Sequence, residues 1–442
     1  MPEPQKDHRI PQSTFITEKD FRFGDTASQH GKAMKVPSHI LPIATIGILA
    51  HHATATLPLP TDEHGDYNGA DLIEWINSHP QGYVHPSVRI GRERPGDPTS
   101  MLGLYVSSAP GTKSIEEDEI IARIPWSHLI SPGEEYSRSK FFSCQEIRNL
   151  AKELKLGDNS RYAPYVRYLL AQPRGAMPGE WSNAGKKFFA KLLDYGDLPP
   201  YEETWLDVYE TEWIKGCHGD PEDPMERMAF YLASSRDEDT LMIPIYDMAN
   251  HSNDPDKLNT LSFKPDKVGK SFRFEASRTI LPGEQIYNSY NRCNPCSEAD
   301  FDNCETFSSQ PTPDMFAHFG FVESLPQYWR FDSSEEGEEE DEIEMCLSRN
   351  SSGELEVLWF KNSMPDEVDF EYLSRHLKRL KGMNARKADL ESKLVLGNDE
   401  DIDEKKMPRS EWESIWRYYD ELVRAIEAAI KYAPPDDEED EL

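Results

Sequence analysis

Among the 442 residues, no uninterrupted apolar run reaches the roughly eighteen that a membrane-spanning helix needs. Basic residues are scarce: 48 Lys and Arg stand against 81 Asp and Glu, for a formal net charge of -33. A field of that sign repels phosphate backbones, so it argues against a nucleic-acid partner and favours protein partners with a basic segment. Much of the acidity lies in runs at 335–344, 399–404 and 436–441, which read as solvated loops or tails. Outside them the chain is only moderately acidic. Cysteine is sparse: Cys144, Cys217, Cys293, Cys296, Cys304 and Cys346 are all there are. An even number permits disulfides in an oxidising lumen and is equally ordinary for a reduced cytosolic chain. No internal repeat is present. A hydrophobic fraction of 37% and an aromatic fraction of 11% still supply a core, and the length suits one large domain plus a smaller one.

Residues 1–65 are rich in His, Pro and Thr and read as a leader. Within it, Met34-Lys35 precedes the apolar stretch from Ile40 to Leu49, which leads to Ala53-Thr54-Ala55. Counted from Met34, over about 34–55, this is the pattern of a secretory signal peptide; the alternative is a short buried strand or helix ahead of the folded body. At the other end, Glu439-Asp440-Glu441-Leu442 is similar to an endoplasmic-reticulum retention tetrapeptide. The two signals together point to the endoplasmic reticulum or secretory pathway, with cytoplasm or nucleus as the alternative. Asn350-Ser351-Ser352 is an acceptable glycosylation sequon that would report luminal passage.

Globular patterning begins at Asn68. Asp71 to Ile76 predicts a short amphipathic helix, and Met101 to Val106 and Glu119 to Pro125 predict half-buried strands. From about Gln145 to Arg236 the period becomes helical, with Ile147, Leu150 and Leu154 on one face, Tyr165 to Leu170 on the next helix, and Phe188, Leu192 and Leu193 on a third. Strand character returns at Leu241 to Tyr246 and at Ser271 to Ala276. Leu281-Pro282-Gly283-Glu284 predicts a type II turn feeding a last strand, Gln285 to Tyr290. Residues 326–345 read as an acidic linker, 346–435 as a helical C-terminal domain and 436–442 as an acidic tail. In that domain Ser410 with Glu413 predicts a capping box, and Trp412, Ile415, Trp416, Tyr419, Leu422, Val423, Ile426 and Ile430 mark one continuous face.

Two motifs carry the chemistry. Asp247-Met248-Ala249-Asn250-His251-Ser252 follows a strand, and Gly283-Glu284-Gln285-Ile286-Tyr287-Asn288-Ser289-Tyr290 comes about thirty positions later, followed by Phe319-Gly320-Phe321-Val322. Asn-His-Ser alone suits a simple turn, and His251 alone a structural histidine. In this order, inside a β unit split by helices, the motifs resemble those of SET-domain protein methyltransferases, in the branch of the Rubisco large-subunit lysine methyltransferases and the actin-histidine methyltransferase. The likeness runs from about Leu72 to Val322 and more loosely through the C-terminal helices.

The resemblance implies an α+β fold: a β-rich SET domain over 66–325 with its helical insertion at 134–236, and a helical C-terminal domain that recognises substrate. It also implies S-adenosylmethionine as cofactor. Met101-Leu102-Gly103-Leu104 would lie against it, with Leu102, Gly103 and Leu104 as contacts and Gly103 allowing close backbone approach. Ser100 or Met101 stands where an acidic residue is usual. Arg236, after Ser235, would hold the methionine carboxylate. Asp247 would orient the turn whose Asn250 and His251 contact the amino group and adenine. Tyr290 matches the catalytic tyrosine, and Tyr287, Phe319 and Phe321 are channel candidates, although Tyr287 also fits simple packing. The implied activity is protein-lysine methylation; the alternatives are protein-histidine methylation and a binding protein that has kept the fold without the chemistry. Cys293, Cys296 and Cys304 could form part of a zinc element completed by Cys144, Cys217, His218 or His318, or a disulfide-tied loop, or stay unpaired; no metal is expected.

Overall fold

The computed structural model describes residues 61–62, 64–92, 94–96, 102–133, 143–172, 174–263, 271–290, 310–333, 342–350, 352–360, 366–396 and 405–432. The leader up to residue 60 with its signal-peptide pattern, Ser100 and Met101, Cys293, Cys296 and Cys304, most of the acidic runs and the C-terminal tetrapeptide lie outside the described residues.

The chain begins with α1 (Ala70–Asn77), then β1 (Tyr83–Val84), β2 (Val88–Arg92), β3 (Leu102–Val106) and β4 (Ile120–Ile124). The helical insertion holds α2 (Cys144–Leu156), α3 (Ala163–Leu170), α4 (Asn183–Leu192), α5 (Glu202–Trp205) and α6 (Pro224–Arg236). Then come β5 (Asp237–Glu238), β6 (Leu241–Met242), β7 (Asn250–His251), β8 (Thr260–Phe263), β9 (Phe272–Ala276), β10 (Gln285–Asn288) and α7 (Thr312–Phe319). The C-terminal part has β11 (Gln327–Asp332), β12 (Glu342–Arg349), β13 (Leu355–Trp359), α8 (Glu367–Asn384), α9 (Lys387–Leu394) and α10 (Arg409–Lys431). Mixed helices and several small sheets make this an α+β fold.

Two four-stranded sheets, ordered β1-β4-β9-β8 and β2-β3-β10-β7, share a core with α1, α2, α3 and α6. Helix α2 starts where the Ser143 hydroxyl accepts the Glu146 N–H, and it buries Ile147, Leu150, Ala151 and Leu154 along one stripe. Asp223 caps α6 in the same way, with Pro224 at its first helical position. A disulfide joins Cys144 at the start of α2 to Cys217, 73 residues on.

A second core gathers α4, α7, β11, β12, α8 and α10. The 134–236 insertion therefore does not belong wholly to the first core. Phe188 of α4 stacks on Trp412 at 5.3 Å, and Glu411 accepts hydrogen bonds from the Ser182 N–H and hydroxyl at 2.8 and 2.7 Å. The acidic linker and the helical C-terminal domain also need correction. Residues 327–332 and 342–349 form an antiparallel pair extended by β13, because Trp329 and Phe331 alternate into the second core with Ile343, Met345 and Leu347 opposite. The capping box at Ser410 does not form: α10 starts at Arg409 behind Pro408, and no side chain caps it.

Candidate functional site

The site is built around the middle of the second sheet. Strand β10 pairs antiparallel with β3, placing Ile286 opposite Leu104, and parallel with β7, placing Tyr287 opposite Asn250 and Asn288 opposite His251. The two sequence motifs are thus neighbouring strands. Leu281 to Glu284 closes the expected turn, with the Glu284 N–H on the Leu281 carbonyl at 3.0 Å and Gly283 at φ 91°. Upstream, the expected strand over Leu241 to Tyr246 stops at Met242. Ile245 adopts φ 73°, a strained value for a β-branched residue, and the chain turns through Tyr246–Met248. That turn aims Asp247 inward.

Asp247 is buried and accepts the Tyr165 hydroxyl at 2.8 Å. Burial pushes its carboxyl up to about 6, although the Arg236 guanidinium, 3.8 Å away, pulls the other way. Arg236, the last residue of α6, donates to the Tyr168 hydroxyl at 2.9 Å, the Asp247 carbonyl at 3.1 Å and the Gln172 side chain at 2.8 Å. Asn250 donates from Nδ2 to the Leu102 carbonyl at 3.1 Å. The chain beyond β10 folds back over β7. There the Tyr290 N–H donates to His251 Nδ1 at 3.0 Å and its hydroxyl donates to the Ala249 carbonyl at 2.9 Å. Burial pushes the Tyr290 hydroxyl up to about 12, opposed by Arg236. His251 and Phe319 flank its ring at 5.2 and 5.1 Å, and Phe321 lies 5.5 Å from His251.

These groups open onto one cavity of about 490 Å³. Leu102, Arg236, Asp247, Asn250, His251, Tyr287, Tyr290, Phe319 and Phe321 all line it. Gly103 and Leu104 do not. Leu104 is fully buried in the core, and the open side of Gly103 faces protein, since a Cβ there would lie 2.6 Å from Asn250 Nδ2 and 2.8 Å from Gln285 Nε2. The close approach this glycine allows is between side chains of neighbouring strands. The sequence reading missed Tyr168, Gln172 and Glu323. The first two sit 64 or more residues from Arg236 and carry no motif; for Glu323 the one available signal was its place directly after the Phe319-Gly320-Phe321-Val322 run.

Cys144 and Cys217 spend their sulfurs on each other, so neither can complete a zinc site. Cys346 is disulfide-bonded as well. Asp194, Asp197 and His376 offer three ligand atoms within 4.8 Å, but Arg379 Nε already lies 2.9 Å from the Asp194 carboxylate, and its charge opposes a cation there.

Residues 111–291 match the SET domain family. The matched segment, about two fifths of the chain, is similar to SET domains. No curated protein matches it at a significant level. A solved structure described as the SET domain of LSMT bound to lysine and AdoHcy is similar at 12% identity and a TM-score of 0.42, covering 82% of this chain and 91% of that one. Among the described residues, no helix is long and apolar enough to cross a membrane.

Proposed function

We propose that the cavity binds S-adenosylmethionine and that the chain transfers its methyl group to a lysine side chain of a protein substrate. The observation carrying this reading is the convergence of Arg236, Asn250, His251 and Tyr290 on one cavity inside the matched domain. The Arg236 fork suits the methionine carboxylate. Asn250 and His251, at the edge of the sheet, suit the amino group and adenine, with Leu102 as an apolar wall. Phe319, Phe321 and Tyr287 line the path of the lysine, and the C-terminal part of the chain recognises the substrate protein.

The reaction is an in-line displacement. A neutral amine nitrogen donates its lone pair to the methyl carbon, the carbon–sulfur bond breaks, and its electron pair makes the sulfur a neutral thioether. The nitrogen takes the positive charge and later loses a proton to water. Aromatic walls disfavour the charged ammonium and so favour the neutral nucleophile. Tyr290 supplies direction. Its only hydroxyl proton is committed to the Ala249 carbonyl, so its lone pairs are left to accept from the amine N–H and hold the nitrogen in line. Because burial raises this hydroxyl to about 12, it stays neutral at physiological pH.

Titration calorimetry with S-adenosylmethionine tests the cofactor half: saturable binding with one site per chain is expected, and no heat at millimolar cofactor overturns it. Hydrolysis of the methylated product to amino acids tests the acceptor. Methyl-lysine is expected, and methylhistidine overturns the lysine assignment.

A further inference from the structure

Glu323 belongs to none of the assigned roles, yet its buried carboxylate sits between the site and the C-terminal part. One oxygen, Oε2, accepts the Thr312 hydroxyl at 2.7 Å at the start of α7. The other, Oε1, lies 3.0 Å from His251 Nε2, in close contact but off the axis of an aligned hydrogen bond. The Glu323 carbonyl accepts from Gln327 Nε2 at 2.7 Å, and the same amide donates to Glu421 of α10 at 3.0 Å. On the far side of the imidazole, Nδ1 accepts the Tyr290 N–H at 3.0 Å. With Nδ1 engaged as an acceptor, the proton of the neutral ring belongs on Nε2, facing Glu323.

We propose that Glu323 is a positioning residue: it fixes the tautomer and plane of His251, and through the Nδ1 contact it fixes the backbone of Tyr290 and the direction of the Tyr290 hydroxyl. Because a carboxylate cannot donate, it favours the tautomer with the proton on Nε2, the form that leaves Nδ1 free to hold Tyr290. Its other oxygen, held by Thr312, prevents the carboxylate from turning away. The chain of contacts from Glu421 through Gln327 to Glu323 gives the C-terminal part a physical connection to the tyrosine. This positioning role rests on the reading that Tyr290 orients the attacking amine.

The test uses the full chain and three variants, Glu323→Ala, Glu323→Gln and Thr312→Val. Nitrogen NMR of the ¹⁵N-labelled His251 ring reads the tautomer, and methyl transfer from S-adenosylmethionine to poly-L-lysine gives kcat and the cofactor KM. Wild type should show Nδ1 unprotonated and Nε2 protonated. Glu323→Ala should give a mixture of tautomers and lower kcat about tenfold, the scale on which outer-sphere partners of functional histidines act, with the cofactor KM within about twofold. Glu323→Gln keeps an acceptor at Oε1 and should restore the tautomer and most of kcat. Thr312→Val, which loosens the carboxylate without removing it, should move both readouts in the same direction by less, and it carries the test if the alanine variant does not fold. An unchanged His251 tautomer in Glu323→Ala, or in Thr312→Val if that variant alone is available, overturns the proposal. So does an equal loss of kcat in the alanine and glutamine variants. The NMR signal reports on Glu323 even if wild type methylates nothing, so failure of the positioning role and failure of the methyl-transfer reading are distinguishable.

Discussion

Replacing Asp247 with asparagine should change how stability depends on pH, and the sign follows from burial. The folded-state pKa is raised from 3.8 to about 6, so the fold favours the protonated carboxyl and binds more proton than the unfolded chain between those values. Stability contributed by this group is therefore present at low pH and falls as pH rises from about 4 through 6. A shift of about 2 units at 1.36 kcal/mol each gives a total near 3 kcal/mol. Roughly 1.4 kcal/mol of it falls between pH 5 and pH 8, above the isoelectric point near 4.8. Asparagine keeps an oxygen for the Tyr165 hydroxyl, which limits the change to the ionisation. The assay is urea unfolding of wild type and Asp247→Asn at pH 5, 6, 7 and 8, reported as the difference between the two proteins so that the other carboxylates cancel. Wild type should lose stability relative to the variant by about 1.4 kcal/mol across that range. A flat difference refutes the burial reasoning, and a difference of opposite sign means that the Arg236 charge, 3.8 Å away, outweighs desolvation.

Three further outcomes follow from other parts of the site and scaffold. Gly103→Ala should destabilise the chain by about 1–3 kcal/mol in the same urea assay, because its Cβ would enter the space of Asn250 Nδ2, and it should weaken cofactor binding with it; a loss below about 0.5 kcal/mol would mean that Asn250 swings aside without cost. Removing the Cys144–Cys217 disulfide as a double alanine variant frees a 73-residue span, and chain-entropy reasoning puts the upper cost near 4 kcal/mol. Equal unfolding midpoints for the oxidised wild type and the variant would show that this bond contributes nothing. Arg236→Lys should raise the calorimetric Kd for S-adenosylmethionine about tenfold, since an ammonium cannot reproduce the fork that reaches Tyr168, Gln172 and the Asp247 carbonyl; an unchanged Kd would remove Arg236 from the carboxylate role.

The parts of the structure legible in the sequence were those with local signatures. Period-3.6 stripes marked α2 and α10, Pro282-Gly283 marked the turn before β10, and the two motifs marked what proved to be the adjacent strands β7 and β10. Illegible were features set by tertiary contact. Strand β11 hid in a segment dominated by nearby acidic residues, although Trp329 and Phe331 already alternated. The division of the insertion between two cores depends on α4 meeting α10, more than two hundred residues away. Gly103 showed the right property and the wrong neighbour: its missing Cβ makes room for Asn250 and Gln285. Tyr168 and Gln172 became visible as site residues only when α3 was folded against the end of α6.

The most direct test of the central claim is residue-level mass spectrometry of a lysate incubated with isotopically labelled S-adenosylmethionine and either wild type or Tyr290→Phe. The variant loses only the hydroxyl that donates to Ala249 and that, in the proposed mechanism, directs the amine. Wild type should place the labelled methyl on lysine side chains of discrete proteins, and the variant should lower that signal by about a hundredfold or more, the order expected when an orienting group is removed from an in-line displacement. Equal labelling by the two proteins would contradict the role of Tyr290, and no labelling by wild type would contradict methyl transfer to lysine.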